Sequence, residues 1–256
     1  MEVLNPEKLY FYRNPENILK VSCREPVEIV NHRTGYFLRY VLENFQYDYN
    51  SNETVLSGKC HFEELTPRNS RQKTIWEKNR REVYAISITH FFRALYRRKI
   101  HEDGFLLVER DSIQSRKSLF PLKDILQTNR EQVLVNIETP LYLACLSRPV
   151  TDNMIKNTYN TLFGVGVSSP VTLLMPQQFS IYSDGTYTGM LQLQEYRNSI
   201  TGLSSMLPFE YLPDSTEPAY QNSIAGLSSM LSGDNLQNGL AFLFDNQLAL
   251  FPQEKI

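Results

Sequence analysis

Between Arg68 and Asp103 the chain contains neither glycine nor proline. A stretch of that length without a helix breaker favours helix over the short strands that punctuation would otherwise mark. Thr74-Ile75-Trp76-Glu77 has the form of a capping box, in which the Thr hydroxyl accepts from the N3 amide and Glu77 reaches back. Together these features predict one helix over about 75 to 98. Placed at 100° per residue from Trp76, Val83, Tyr84, Ile88, Phe91, Ala94 and Leu95 share a broad apolar stripe. Arg80 and Ser87 fall inside that stripe, and His90 falls at its edge.

A guanidinium inside an apolar stripe needs a carboxylate, several carbonyls or a ligand anion, because an unpaired buried charge is very costly. Two readings follow. Arg80, Tyr84, Ser87 and His90 line one binding pocket, or Arg80 braces the helix against a sheet carboxylate, with Glu43, Glu63 or Glu64 as candidates. Ser87 and His90 lie three apart, yet no GxSxG elbow and no third group accompany them. No catalytic residue is assigned. Arg97-Arg98-Lys99 reads as a solvated helix end, where cations oppose the negative pole of the helix dipole. His32, His61 and His101 are isolated, and Gly164-Val165-Gly166 reads as a turn.

Residues 8 to 64 carry strand signals. Leu9–Tyr12, Ile18–Cys23 and Val27–Val30 are short apolar runs separated by Asn-Pro and Glu-Pro. Tyr36–Tyr49 and Thr54–Leu65 flank Asn50-Ser51-Asn52 and predict a long antiparallel hairpin. The alternation of Tyr36–Tyr49 is imperfect, which suggests partial cover on both faces. Further strands are expected at Phe105–Glu109, Val133–Ile137, Leu141–Leu146, Val171–Met175, Phe179–Tyr182 and Tyr187–Leu193. Asp184-Gly185 is a strong hairpin turn. Short helices are expected at Leu122–Gln127 and Asp152–Phe163. Near the C-terminus Asn198–Leu207 recurs as Asn222–Leu231 with Thr201 replaced by Ala225. Both copies have apolar residues at helical spacing, so each predicts a short amphipathic helix.

The expected fold class is α+β: antiparallel sheets packed against one long amphipathic helix, with short C-terminal helices. The expected organisation is a β-rich subdomain over 1–110 that includes helix 75–98, a second β region over 131–215 with a C-terminal helix, and an appended repeat-containing tail over 216–256. The tail is a candidate for self-association.

Composition narrows the function classes. Fifteen Tyr and fourteen Phe among 256 residues suit pleated surfaces. Lys and Arg total 26 against 28 Asp and Glu, so no overall field argues for a nucleic-acid partner. No apolar run is long enough for a transmembrane helix. Cys23, Cys60 and Cys145 have no metal-site spacing, so neither a metal nor a cofactor is expected. Cys23 and Cys60 lie in expected strands and are candidates to pair in an oxidising compartment. The start, Met1-Glu-Val-Leu-Asn-Pro, is no signal peptide.

Several of these motifs occur together in one family. They are Leu4-Asn5-Pro6, Gly35-Tyr36, Gly58 with Phe62-Glu63-Glu64-Leu65, Leu207-Pro208 with Tyr211 and Pro213, and above all Trp76, Arg80, Tyr84, Ser87, His90-Phe91 and Ala94-Leu95 followed by Gly104-Phe105. Over roughly residues 3 to 213 the chain resembles the bacterial carboxypeptidase-regulatory-like-domain-containing proteins. The resemblance implies an exported parent, placed in the periplasm or at the cell surface, with a transthyretin-like module preceding this region. It implies no peptidase activity and no catalytic residues. The function expected is a non-enzymatic binding or structural module with a protein or glycan partner. The alternatives are a hydrolase acting on glycans or peptides through carboxylates assembled by the fold, and a cytoplasmic regulatory protein.

Overall fold

The computed structural model describes residues 1–50, 53–111, 126–128, 132–146, 148–165, 167, 169–189, 191, 193–197 and 206–213. The two repeat copies, apart from Met206 and Leu207, and the expected helix at 122–125 lie outside them. The chain divides into two compact units, Met1–Arg80 and Arg81–Ile256.

The first unit is organised by β5 (Tyr36–Asp48), the longest strand. One edge of β5 pairs along its whole length with β6 (Glu53–Glu64). The other edge pairs first with β4 (Val27–Asn31) and then with β3 (Ile18–Cys23). Outside these lie β1 (Glu2–Val3) on β4 and β2 (Leu9–Arg13) on β3, and all pairings are antiparallel. The irregular alternation of β5 has a local cause. The register shifts between Leu42 and Asn44, so Glu43 is an extra residue in the ladder. Each bulge of this kind reverses the side-chain parity. Tyr36, Leu38 and Tyr40 therefore face the core before it, and Phe45 and Tyr47 after it. The hairpin does not need cover on both faces to explain its sequence.

Helix α1 (Ser70–Ala85) begins earlier than the Thr74 box predicts. The Asn69 carboxamide accepts from the Gln72 amide at 2.9 Å, and Gln72 Oε1 accepts from the Arg68 amide at 2.7 Å. Asn69 is the N-cap, and Thr74 lies within the helix, its hydroxyl donating back to the Ser70 carbonyl at 3.1 Å.

The single long helix is not formed. After Ala85 the chain tightens through bonds from the Ile86 and Ser87 amides to the carbonyls three residues back. Ser87 is extended (φ −78°, ψ 152°), and α2 (Ile88–Tyr96) starts beyond it. The Ser87 hydroxyl donates to the Tyr84 carbonyl at 2.9 Å and accepts from the His90 amide at 3.1 Å. One side chain thus satisfies the end of one helix and the start of the next, which neither Gly nor Pro was needed to accomplish. The expectation of sheets on one long amphipathic helix is corrected accordingly: the described chain is mainly antiparallel β with short helices.

The second unit contains two four-stranded sheets. One has the order β14 (Leu193–Arg197), β11 (Val171–Leu174), β10 (Leu141–Cys145), β7 (Phe105–Glu109). The other runs β13 (Tyr187–Gly189), β12 (Gln177–Ile181), β9 (Val133–Ile137), β8 (Leu126–Thr128). Leu126 and Gln127, expected as helix, are in β8. The single strand expected over Tyr187–Leu193 ends at Gly189, and the chain re-enters a different sheet at Leu193.

In the first of these sheets Phe105 and Leu107, with Leu143 and Cys145, join α2 and the other sheet in one apolar cluster. Leu106, Val108 and Ala144 face a second cluster with Leu162. β7 therefore reads as an unbroken apolar run because both of its faces are buried. The expected helix over 152–163 is two short helices, α3 (Asp152–Lys156) and α4 (Thr158–Phe163), parted at Asn157.

Cys23, Cys60 and Cys145 are free thiols. Cys23 is on β3 and Cys60 on β6, with β5 between those strands. Strands separated by a third lie about 9.5 Å apart. A disulfide spans at most about 7 Å between Cα atoms, so the Cys23–Cys60 pairing is not available within one chain.

Candidate functional site

Arg80 belongs to the first unit, and its bonds are made there. The β4–β5 connection, His32–Gly35, is pinned from within. Asn31 Oδ1 accepts from the amides of Arg33 and Thr34, and the Gly35 amide donates to the Asn31 carbonyl at 2.8 Å. Gly35 is left-handed at φ 69°. The four carbonyls of this turn are taken up by one face of α1. Trp76 Nε1 donates to His32 at 2.9 Å, and Asn79 Nδ2 donates to Arg33 at 2.7 Å. Arg80 Nε donates to Thr34 at 2.7 Å and Nη2 to Gly35 at 3.2 Å. Positions 76, 79 and 80 share a helix face because three- and four-residue steps do.

The remaining Arg80 nitrogen, Nη1, reaches Glu64 Oε1 at 2.7 Å, and the guanidinium lies 4.0 Å over the Tyr36 ring. Arg80 is buried, but the Glu64 side chain is 68% exposed. The two partners therefore differ: the cation is held mainly by carbonyls and a ring face, and the anion is solvated. Burial raises the Tyr36 phenol above its ordinary range, against the pull of Arg80. Gly35 also lets the indole approach, since a Cβ there would lie 2.2 Å from Trp76 Cδ2.

Tyr84, Ser87 and His90 belong to the second unit and are brought together there. The Tyr84 and His90 rings stack at 4.5 Å with an interplanar angle of 28°. Phe105 meets His90 edge-on at 5.0 Å. His90 Nδ1 lies 3.3 Å from the Ala85 carbonyl, and Nε2 lies 3.8 Å from Asp103 Oδ2. Burial pulls the His90 imidazole down to about 4, against the Ala85 carbonyl and Asp103, which favour its charged form. At neutral pH the ring is uncharged, so the 3.8 Å approach to Asp103 is no ion pair. Asp103 is instead paired with Arg97 at 2.7 Å. Ser87 Oγ contacts main chain in both of its bonds, and this differs from a nucleophile aimed at a base.

Arg93, which the sequence reading did not single out, joins α2 to the turn at Asp184 and to the segment Phe209–Tyr211. It is 5% exposed. Its Nε donates to the Asp184 carbonyl at 2.7 Å, and Nη1 donates to the Tyr84 hydroxyl at 3.2 Å and the Tyr211 carbonyl at 2.8 Å. Nη2 donates to the Phe209 carbonyl. The guanidinium also lies 5.5 Å over the Tyr84 ring. Gly185, at φ 85°, completes the turn beside it, and a Cβ there would lie 2.9 Å from Arg93 Cγ. A helical wheel drawn through an unbroken helix puts position 93 outside the stripe. The break at Ser87 resets that phase, and His90 through Leu95 are all buried. The usable signal was Ser87 itself, a favourable N-cap residue before an apolar run.

Lys99 pairs with Glu102 at 3.0 Å on the surface, and exposed His32 lies 2.8 Å from Glu2. Among the described residues no group of three or more His, Cys, Asp or Glu is arranged to hold a metal ion. No described helix is long and apolar enough to cross a membrane. Fold and cluster together describe a mainly β, two-unit protein in which buried arginines bind turn and segment carbonyls. The chain matches no family model, no curated protein and no solved structure.

Proposed function

We propose that this chain is a non-enzymatic binding or structural module from an exported parent protein of the bacterial envelope, with a protein or glycan partner. The observation that supports it is how the polar candidates are used. Arg80, Ser87 and Arg93 spend most of their hydrogen bonds on main-chain carbonyls and amides, and the Glu64 carboxylate and Tyr84 hydroxyl take the others. His90 is neutral and enclosed between two rings. Such groups hold a framework in one geometry, and a framework is what a binding or structural module requires. The motif resemblance to carboxypeptidase-regulatory-like-domain-containing proteins supports the export and the envelope setting.

The test is direct. Purified protein is incubated with insoluble cell-wall glycan and with a peptide mixture, and followed for co-sedimentation, new reducing ends and new amino groups. Retention on glycan without cleavage is the expected result. Turnover that persists through further purification overturns the non-enzymatic reading and favours a hydrolase. Fractionation of native cells is expected to place the parent outside the cytoplasm, and recovery from the cytosol favours a regulatory protein.

A further inference from the structure

β6 lies at an edge of the first sheet. β5 takes one of its sides, and among the described residues no strand takes the other. The direction of its backbone groups follows from the ladder. The Leu65 amide donates to the Gly35 carbonyl, and these two positions continue the β5–β6 register, so they form a hydrogen-bonded pair. Antiparallel pairs alternate between bonded and non-bonded. Phe37–Glu63, Arg39–His61 and Val41–Lys59 are therefore bonded, and Gly58, Cys60, Phe62 and Glu64 turn their N–H and C=O groups away from β5. The bond from the Leu4 amide to the Glu28 carbonyl fixes the same parity through β4. An edge of this kind is a template for a further strand. The side chains of Cys60 and Phe62 lie on the core face, opposite Tyr40 and Leu38, yet both are only half-buried.

We propose that this edge pairs with β6 of a second copy of the chain, antiparallel, about a twofold axis at His61. The charges on the outer face choose that strand and that register. A lysine on an edge strand ordinarily discourages pairing. Here Lys59 and Glu63 stand at equal distances on either side of His61 and have opposite signs. Centred on His61, the pairing sets Lys59 opposite Glu63 of the second copy, and Glu63 opposite its Lys59. An axis at Lys59 or at Glu63 sets like charges opposite each other, and an axis at Cys60 or Phe62 matches neither residue with an opposite formal charge of full strength. The same register sets Cys60 opposite Phe62 of the second copy, so residues whose backbone groups point outwards exchange both of their bonds. Their half-open side chains cover one another on the core face. Within the chain Glu63 meets Arg39, with His61 at 3.7 Å, and Lys59 lies 3.8 Å from Glu43. The Lys59 side chain is 83% exposed, so it moves to the new carboxylate at little cost. This inference does not depend on the binding or structural reading.

The experiment is analytical ultracentrifugation of the full chain over a concentration series at low ionic strength. Wild type is expected to dimerise reversibly. Lys59→Glu turns two cross-strand pairs from attractive to repulsive and is expected to weaken the dimer by roughly tenfold or more. Lys59→Glu combined with Glu63→Lys restores both matches and is expected to restore the dimer. All three positions of the test are exposed or on the outer face, and urea unfolding checks that each variant is folded. A wild type that stays monomeric overturns the proposal, as does a dimer that Lys59→Glu leaves unchanged or that the double variant does not recover. The register has its own readout. The His61 positions at the axis are a non-bonded pair with Cα atoms about 4.5 Å apart, within the disulfide range of roughly 4.4–6.8 Å. His61→Cys is therefore expected to give a disulfide-linked dimer on mild oxidation, with the bond mapped to position 61. A wild-type dimer linked through Cys60 places the axis at Cys60 and overturns the register.

Discussion

Arg80 and Arg93 are both buried arginines, yet removing them has different consequences. The carboxylate partner of Arg80 is largely hydrated, so Arg80→Ala strands no buried anion. It takes the described donor from the Thr34 carbonyl and one of two donors from the Gly35 carbonyl, which keeps the Leu65 amide, and it removes a guanidinium–ring contact. The expected loss is about 2–3 kcal/mol in urea unfolding, below the roughly 3–5 kcal/mol for breaking a fully buried pair. Glu64→Gln is expected to cost less than about 1 kcal/mol, as for other exposed partners. If Glu64→Gln costs as much as Arg80→Ala, the ion pair and not the turn carries the energy. Arg93→Met removes the guanidinium donors of three carbonyls and is expected to cost about 2–4 kcal/mol by the same measurement. Gly35→Ala faces both a left-handed backbone and the Trp76 indole. It is expected to lose at least about 3 kcal/mol, which a Trp76→Ala background reduces by opening the space.

At the scale of elements, the junction of α1 and α2 is the most informative place. Ser87→Ala removes a cap that serves two helices, and a loss of about 1–2 kcal/mol is expected. Helicity by circular dichroism is expected to fall or stay level, because the break is held by packing of α2 on both sides. A rise in helicity shows instead that Ser87 alone prevents one continuous helix. The β3, β4, β5 and β6 strands were legible in the sequence nearly to the residue, because Asn-Pro, Glu-Pro and Asn-Ser-Asn punctuate them. The helix boundary was not, because its terminator is a polar residue that looked like part of a stripe. Arg80 was found for a sound reason, a cation in an apolar stripe. Arg93 was missed because the wheel was drawn across the break.

Over the whole molecule, His90 sets an acid limit. Its pKa in the fold, about 4, lies below the ordinary value near 6.5, so the unfolded chain binds the proton more readily. Stability is therefore full above about pH 6.5 and declines as the pH falls towards 4, by up to about 3 kcal/mol from this group. His90→Phe is expected to flatten that part of the urea-unfolding profile between pH 7 and 4, and an unchanged slope assigns the acid sensitivity elsewhere. The thiols give a second global measure. Burial pushes Cys60 up to about 12 and Cys145 higher still. Alkylation of both at pH 8 is expected to be slow in the native protein and fast in urea, and fast native labelling of Cys145 reports opening of the apolar cluster it shares with α2.

Local chemistry decided much of this protein without tertiary help. Punctuation and branched or aromatic runs placed most strands, and Asp184-Gly185 placed a hairpin turn, because these depend on backbone preferences within a few residues. Arg80 required a buried acceptor for any fold that buried its stripe. Which acceptors it met depended on the β4–β5 turn, some 45 positions away in sequence, which no local rule brings to the helix. The division into three sheets, the end of the long helix at Ser87 and the hydrogen bonds of Arg93 were likewise decided by packing. Each depends on groups that meet only after the chain has closed, and the free energy of those contacts outweighs the weak local preference for continuing a helix or a strand.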